Sequence, residues 1–306
     1  MVFTLQKSGW TPDTPTITGE NIMRFRNSIG ATALAAVLII MIGRAAAFDD
    51  AMYPNLKGQW TEFIVPGLPG QRSFDQTKPW GPGQEAPLTP EYQKVLADSM
   101  ADQGKGGQGN YLGASCLALG MPGMMVAFLP QEYVITPETT YILVNSIDHN
   151  RRIFTDGRDW PQEIEPTYQG YSIGKWIDTD GDGRYDTLEI ETRGPFKGPR
   201  VFDATGLPLA YDNRSFIKER IYLDKANPQL LHDQITVIDN ALTRAWTVDR
   251  QYVHSPNRRP VWPEYICGED NAQVRIGKQN YFLDADGLLM PVRKDQPPPD
   301  LRHFRQ

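Results

Sequence analysis

From Cys116 to Leu283 the chain reads as short runs rich in Val, Ile, Tyr and Thr, bounded by Gly, Pro, Asn and Asp. Runs of this kind predict strands. They fall at Met124–Phe128, Glu132–Thr136, Thr140–Ile147, Arg151–Thr155, Tyr171–Ile177 and Tyr185–Thr192. Ser215–Leu223, His232–Asp239, Ala245–His254, Gln273–Ile276 and Gln279–Leu283 complete the series. Upstream, GQWTEF (58–63) alternates and predicts a first strand. One segment carries the helical period instead: TPEYQKVLADSM (89–100) puts Tyr92, Val95, Leu96 and Ser99 on one face. Thr89 is placed to cap it, Pro90 sits at the first helical position and Glu91 lies in the first turn.

Many short strands with one short helix predict a mainly β fold, an antiparallel barrel or sandwich with long Pro/Gly-rich loops. The 27 glycines and 25 prolines agree with that. Gly58-Gln59-Trp60, at the head of the first strand, resembles the Gly-x-Trp of lipocalin-type barrels, which makes a lipocalin-like barrel one candidate form. The prolines of residues 65–90 refuse a central strand. That stretch is a candidate surface for a cell-envelope partner.

MRFRNSIGATALAAVLIIMIGRAAA (23–47) has a basic start, an apolar run from Ile29 to Gly43 and a small-residue end. This is the profile of a secretory signal peptide, and the run is short for a membrane span. A retained anchor is the alternative, and Met1 and Met23 are both candidate starts. The expected division is 1–47 upstream residues and leader, 48–293 one β-rich domain, and 294–306 a loose tail. Export implies a periplasmic or secreted protein, with membrane contact only through an uncleaved leader. In that compartment the two cysteines, Cys116 and Cys267, read most simply as one disulfide, the alternative being two separate thiols. A net charge of −6 and the lack of a Lys/Arg-rich run argue against nucleic acid.

The densest acidic pattern is DTDGDGRYDTLE (178–189). Carboxylates at loop positions 1, 3, 5, 9 and 12, with Gly at position 6, match the oxygen-ligand spacing of a calcium loop. Asp178, Asp180, Asp182, Asp186 and Glu189 would ligate through carboxylate or water, and Arg184 through its carbonyl. Strand-like runs flank the loop, so the expectation is a structural calcium site on a β-hairpin. A plain acidic Asp-Gly turn is the competing reading.

Just upstream, His149, Arg151, Asp156, Arg158, Asp159, Trp160 and Tyr171 crowd together. Arginines beside aromatics can hold a small organic ligand, so Arg151, Asp156, Arg158, Trp160 and Tyr171 are candidate ligand-binding residues. The competing reading pairs Arg158 with Asp156 and packs Trp160 on the end of the barrel. An enzyme in the same pocket, a metal-independent lyase, isomerase or hydrolase, would use His149 or Asp159 as base. No Gly-x-Ser-x-Gly, His-Glu-x-x-His or Gly-x-Gly-x-x-Gly supports a triad hydrolase, zincin or nucleotide enzyme. In DNALTRAWTV (239–248), Trp246, Val248 and Leu242 are expected to point inward, leaving Thr243 and Arg244 at a strand end.

Taken together, Cys116 with Gly120-Met121-Pro122, RRIFTDGRDWP (151–161), PTYQGYSIGKW (166–176), DTLEIET (186–192), DNALTRAWTV (239–248) and EYICGED (264–270) form a joint pattern. It resembles that of an uncharacterised family of exported bacterial proteins. The resemblance implies a shared β-rich fold, export and a Cys116–Cys267 pairing, and no particular reaction. Many relatives join the Trp to Asp-Thr-Leu through Glu-Gly, whereas Ile177 to Tyr185 stand between them here. Calcium binding would then belong to this branch.

Overall fold

The computed structural model describes residues 48–64, 85–126, 129–146, 150–212, 214–262, 273–277, 279–283, 288–300 and 302. The expected leader, His149, Cys267 and most of the Pro/Gly-rich stretch lie outside the described residues. Alternation becomes strands at β1 (Gln59–Glu62), β2 (Gln131–Ile135), β3 (Thr139–Val144), β4 (Asn150–Phe154), β5 (Tyr171–Ile177) and β6 (Thr187–Arg193). After β7 (Arg200–Val201) and β8 (Pro208–Leu209) come β9 (Phe216–Leu223), β10 (Leu230–Ile238) and β11 (Trp246–His254). Then follow β12 (Gln273–Ile276), β13 (Gln279–Leu283) and β14 (Leu289–Pro291). The sequence reading missed the short pair β7–β8 and β14. Met124–Phe128, expected as a strand, instead begins with a 3-10 turn at Gly123–Met125.

β1 closes the sheet by pairing with both β11 and β2, giving a barrel in the order β1-β11-β10-β9-β6-β5-β4-β3-β2. Eight of its nine pairings are antiparallel; β4 and β5 run parallel and meet at one register pair, Phe154 with Ile173. The parallel pair exists because residues 155–170 carry the chain back along the barrel before β5 starts. Closure removes the exposed edges that an open sheet would leave.

Inward positions alternate as the period-two pattern requires. Ile142, Ile153, Leu188, Ile217, Ile221, Leu231, Ile235 and Val237 are fully buried. The barrel end at which β5, β9 and β11 begin is roofed by residues 85–126 and 200–210. Phe202 lies 4.6 Å from Trp246, ring centre to ring centre, and Leu88 bridges to Leu242. The helix, α1 (Pro90–Gln103), docks here: Ser99 donates to the Thr205 carbonyl and Gln103 to that of Ala204. Leu96 and Ser99 are buried, whereas Val95, expected on the same face, is exposed. Thr89 precedes the helix without a side-chain capping bond. At the opposite end Tyr53 packs edge-on against Trp176 at 5.5 Å and beside Tyr185 at 5.1 Å. Beyond β14, the Gln296 side chain binds the backbone amides of Val292 and Arg293.

Candidate functional site

The expected ligand-binding residues separate into two groups. Arg151 points into the barrel, where it is 1% exposed. Its guanidinium donates to both oxygens of Glu219, at 2.8 and 2.5 Å, and to Thr192 at 2.9 Å. Ser172 closes the cluster at 2.8 Å from Thr192. β4 and β9 are not neighbours, so this ion pair spans the interior. A second buried pair joins Arg250 to Glu62 at 2.8 Å. Asp233 lies between these pairs in the interior with both carboxylate oxygens buried and without a protein hydrogen-bond partner. Burial, then the nearby Glu219 carboxylate, pushes its pKa well above the usual range. At the roofed end Asp239 accepts from Ser215 at 2.5 Å and from the amides of Ala210 and Ala241, and pairs with Arg200 at 3.3 Å.

The other four residues meet on the outer surface, where the 155–170 segment crosses β4 and β5. Asp156 and Arg158 pair with each other at 2.6 Å. Hydrogen bonding from Arg158 holds the Asp156 carboxyl down at about 2. The Arg158 guanidinium lies 3.9 Å over Phe154, and Phe154 stacks on Tyr171 at 5.0 Å. Trp160 stands 6.0 Å from Tyr171, and the Arg193 guanidinium covers its ring at 4.1 Å. The result is a ledge of alternating aromatic and cationic groups. Asp159 is exposed and outside the ledge.

The ledge continues into a groove of about 570 Å³ on the outer face of β5, β6, β9, β10 and β11. Ile173 follows Tyr171 on the outward side of β5, and Glu191 precedes Arg193 on that of β6. Lys175, Glu189, Glu191, Lys218 and Arg220 supply the charges of the groove, and Gln234, Thr236 and Thr247 supply neutral donors and acceptors. Next to it, beyond Gln234, His232 stacks on Tyr222 at 5.0 Å. Its Nδ1 lies 2.9 Å from Asp249 and its Nε2 3.6 Å from Asp224.

In the acidic loop, carboxylate oxygens of Asp178, Asp180 and Asp186 lie within 4.8 Å of one another. Asp178 also accepts from the amides of Gly181 and Gly183, and the Gly183 bond leads in lowering its pKa. Burial raises Asp186, but bonds from Thr179 and Thr187 outweigh it and the net shift is downward. One Asp186 oxygen is buried without a hydrogen-bond partner, and carboxylate oxygens are the donors a hard cation takes. Asp182 accepts instead from the Arg184 amide, and Glu189 lies on β6 against Arg220 at 3.4 Å. Neither joins the three-carboxylate group. Lys225 reaches Asp180 at 3.0 Å.

The interior charges and the groove were missed by the sequence reading, although alternation contained the first. Glu219 falls between Ile217 and Ile221, Asp233 between Leu231 and Ile235, and Arg250 between Val248 and Tyr252, each on the inward phase. The groove had no such signal, because it draws on five strands whose order emerges only on closure. No family model matches the chain, and no curated protein matches it either.

Proposed function

We propose that this is an exported, periplasmic binding protein for a small organic ligand, stabilised by a calcium ion in its acidic hairpin. The observation that carries the reading is the continuity of the 570 Å³ groove with the Tyr171–Trp160–Arg193 ledge. The groove is large enough for a small molecule and offers an apolar spot at Ile173 and neutral polar groups, with the aromatic Tyr171 at the next outward position of β5. Native mass spectrometry of protein purified from its own compartment should reveal a retained small molecule. Thr236→Trp, which fills the groove, should lose that molecule while folding normally; retention in the variant would sink the reading.

Asp178, Asp180 and Asp186 would hold the ion, and its charge would offset carboxylates that otherwise repel across the loop. Saturating calcium should raise the melting temperature by about 5 °C over protein in EGTA, and Asp178→Asn should erase the difference. Equal melting temperatures in calcium and EGTA would rule the ion out. The Cys116–Cys267 disulfide belongs to the same reading. It draws support from the packing of β12, shortly after Cys267, against the 3-10 turn Leu112–Ser115 that Cys116 terminates.

A second reading, an enzyme acting on a ligand in the same groove, is favoured by one observation. The Asp249–His232 pair, at 2.9 Å, is built like an oriented general base. Conversion of the retained molecule that is lost in His232→Gln would favour it over simple binding.

A further inference from the structure

We infer that the groove takes an organic monoanion, an aromatic carboxylate, with its anionic end at Lys175 and its ring towards the Tyr171–Trp160 ledge. This rests on the binding reading above and narrows it to a chemical class.

The argument is one of charge and geometry. The lining contains three cations, Lys175, Lys218 and Arg220, and three anions, Glu189, Glu191 and Glu219. Glu219 is turned inward and held by Arg151, so two anions remain on the outer face. In register, Glu189 lies opposite both Lys175 and Arg220, and Glu191 opposite Lys218. Glu189 is engaged by Arg220 at 3.4 Å. Glu191 is engaged by Arg193 at 2.5 Å and stands 4.0 Å from Lys218. Lys175 is exposed and makes no ion pair among the described residues. The groove therefore carries an excess positive charge on a chain whose net charge is −6. An anion would be drawn to this face by the local field, against the overall charge of the protein.

The arrangement favours carboxylate over phosphate. A phosphate dianion is usually met by arginine forks. Here Arg220 and Arg193 are held by Glu189 and Glu191, and Arg193 also covers Trp160. One ammonium suits a single negative charge. Thr236 and Thr247, bonded to each other at 2.8 Å, and Gln234 line the same groove. The ring belongs at the other side, where Ile173 borders Tyr171 and Trp160.

The test uses three probes of one shape on the mature protein: naphthalene-2-carboxylate, its neutral carboxamide and the cationic naphthylmethylamine. Calorimetry should show the carboxylate binding most tightly. Lys175→Gln, at an exposed position, should weaken it about fivefold to tenfold, and raising the salt should weaken it further. Thr236→Trp should abolish binding of every probe. If amide or amine binds as well as carboxylate, or Lys175→Gln changes nothing, while Thr236→Trp still blocks, the monoanion is refuted and the groove survives. If no probe binds, or Thr236→Trp leaves binding intact, both the class and the groove fall. Circular dichroism of each variant separates loss of the site from loss of the fold.

Discussion

Asp233 sets the chemistry of the interior at the scale of one residue. Its carboxyl is 0% exposed and faces Glu219 from β9, Arg151 from β4, and Arg250 and Tyr252 from β11, with Tyr133 from β2. Two arginines against Glu62, Glu219 and Asp233 would leave one negative charge too many in the barrel. A raised pKa eases this by favouring the neutral, protonated form of Asp233. The folded state then binds a proton that the unfolded chain releases above its ordinary value of 3.8. Stability from this group is complete below that value and declines as pH rises, by up to about 1.4 kcal/mol per pH unit until the folded pKa is passed. Asp233→Asn carries no such proton. Urea melts between pH 5 and 8 should show the wild type losing stability relative to the variant as pH rises. Parallel curves would mean that Asp233 is ionised in the fold. Neither this group nor the Arg151–Glu219 pair was anticipated, because a charge beside Asp-Gly-Arg suggested a surface site. Arg151 follows the inward phase of Ile153 instead.

At the scale of elements, the crossing segment 155–170 explains several residues of the sequence pattern that first suggested a family. Gly157 and Gly170 both have positive φ, +77° and +69°. They differ in surroundings: a Cβ at Gly157 meets nothing within 4 Å, whereas one at Gly170 would stand 2.5 Å from the Arg193 carbonyl and 2.6 Å from the Phe196 ring. Gly157→Ala should cost about 1–2 kcal/mol, the backbone term alone. Gly170→Ala should cost clearly more, because the start of β5 must also shift. Thermal melts of the two variants compare them directly; equal losses would mean that Gly170 does not hold the crossing segment against the barrel. Ser172 and Thr192 serve the Arg151–Glu219 cluster, Asp239 gathers the roof, and the Trp176 indole donates to Thr140. Much of that sequence pattern thus encodes the barrel and its interior.

At the scale of the whole molecule, the barrel is unevenly sewn. β9, β10 and β11 share long continuous registers, eight residue pairs at each of their two junctions, whereas β4 and β5 meet at a single pair. Local opening should follow the thin seam. Hydrogen exchange should find the slowest amides in β10 and much faster exchange in β4. Uniform protection around the barrel would contradict this. Most of the groove lies over the long-registered strands β6, β9, β10 and β11, with Ile173 at the thin seam on its edge.

The sequence alone determined the mainly β class, every barrel strand, the one α-helix among the described residues and the acidic hairpin, because periodicity and turn residues are local properties of the chain. Tertiary structure alone decided that Arg151 faces Glu219 across the interior, that Trp160 meets Arg193, and that five strands share one outer groove. Those contacts join residues from about 30 to about 70 positions apart along the chain, and strand order depends on closure of the whole barrel, which no local pattern encodes.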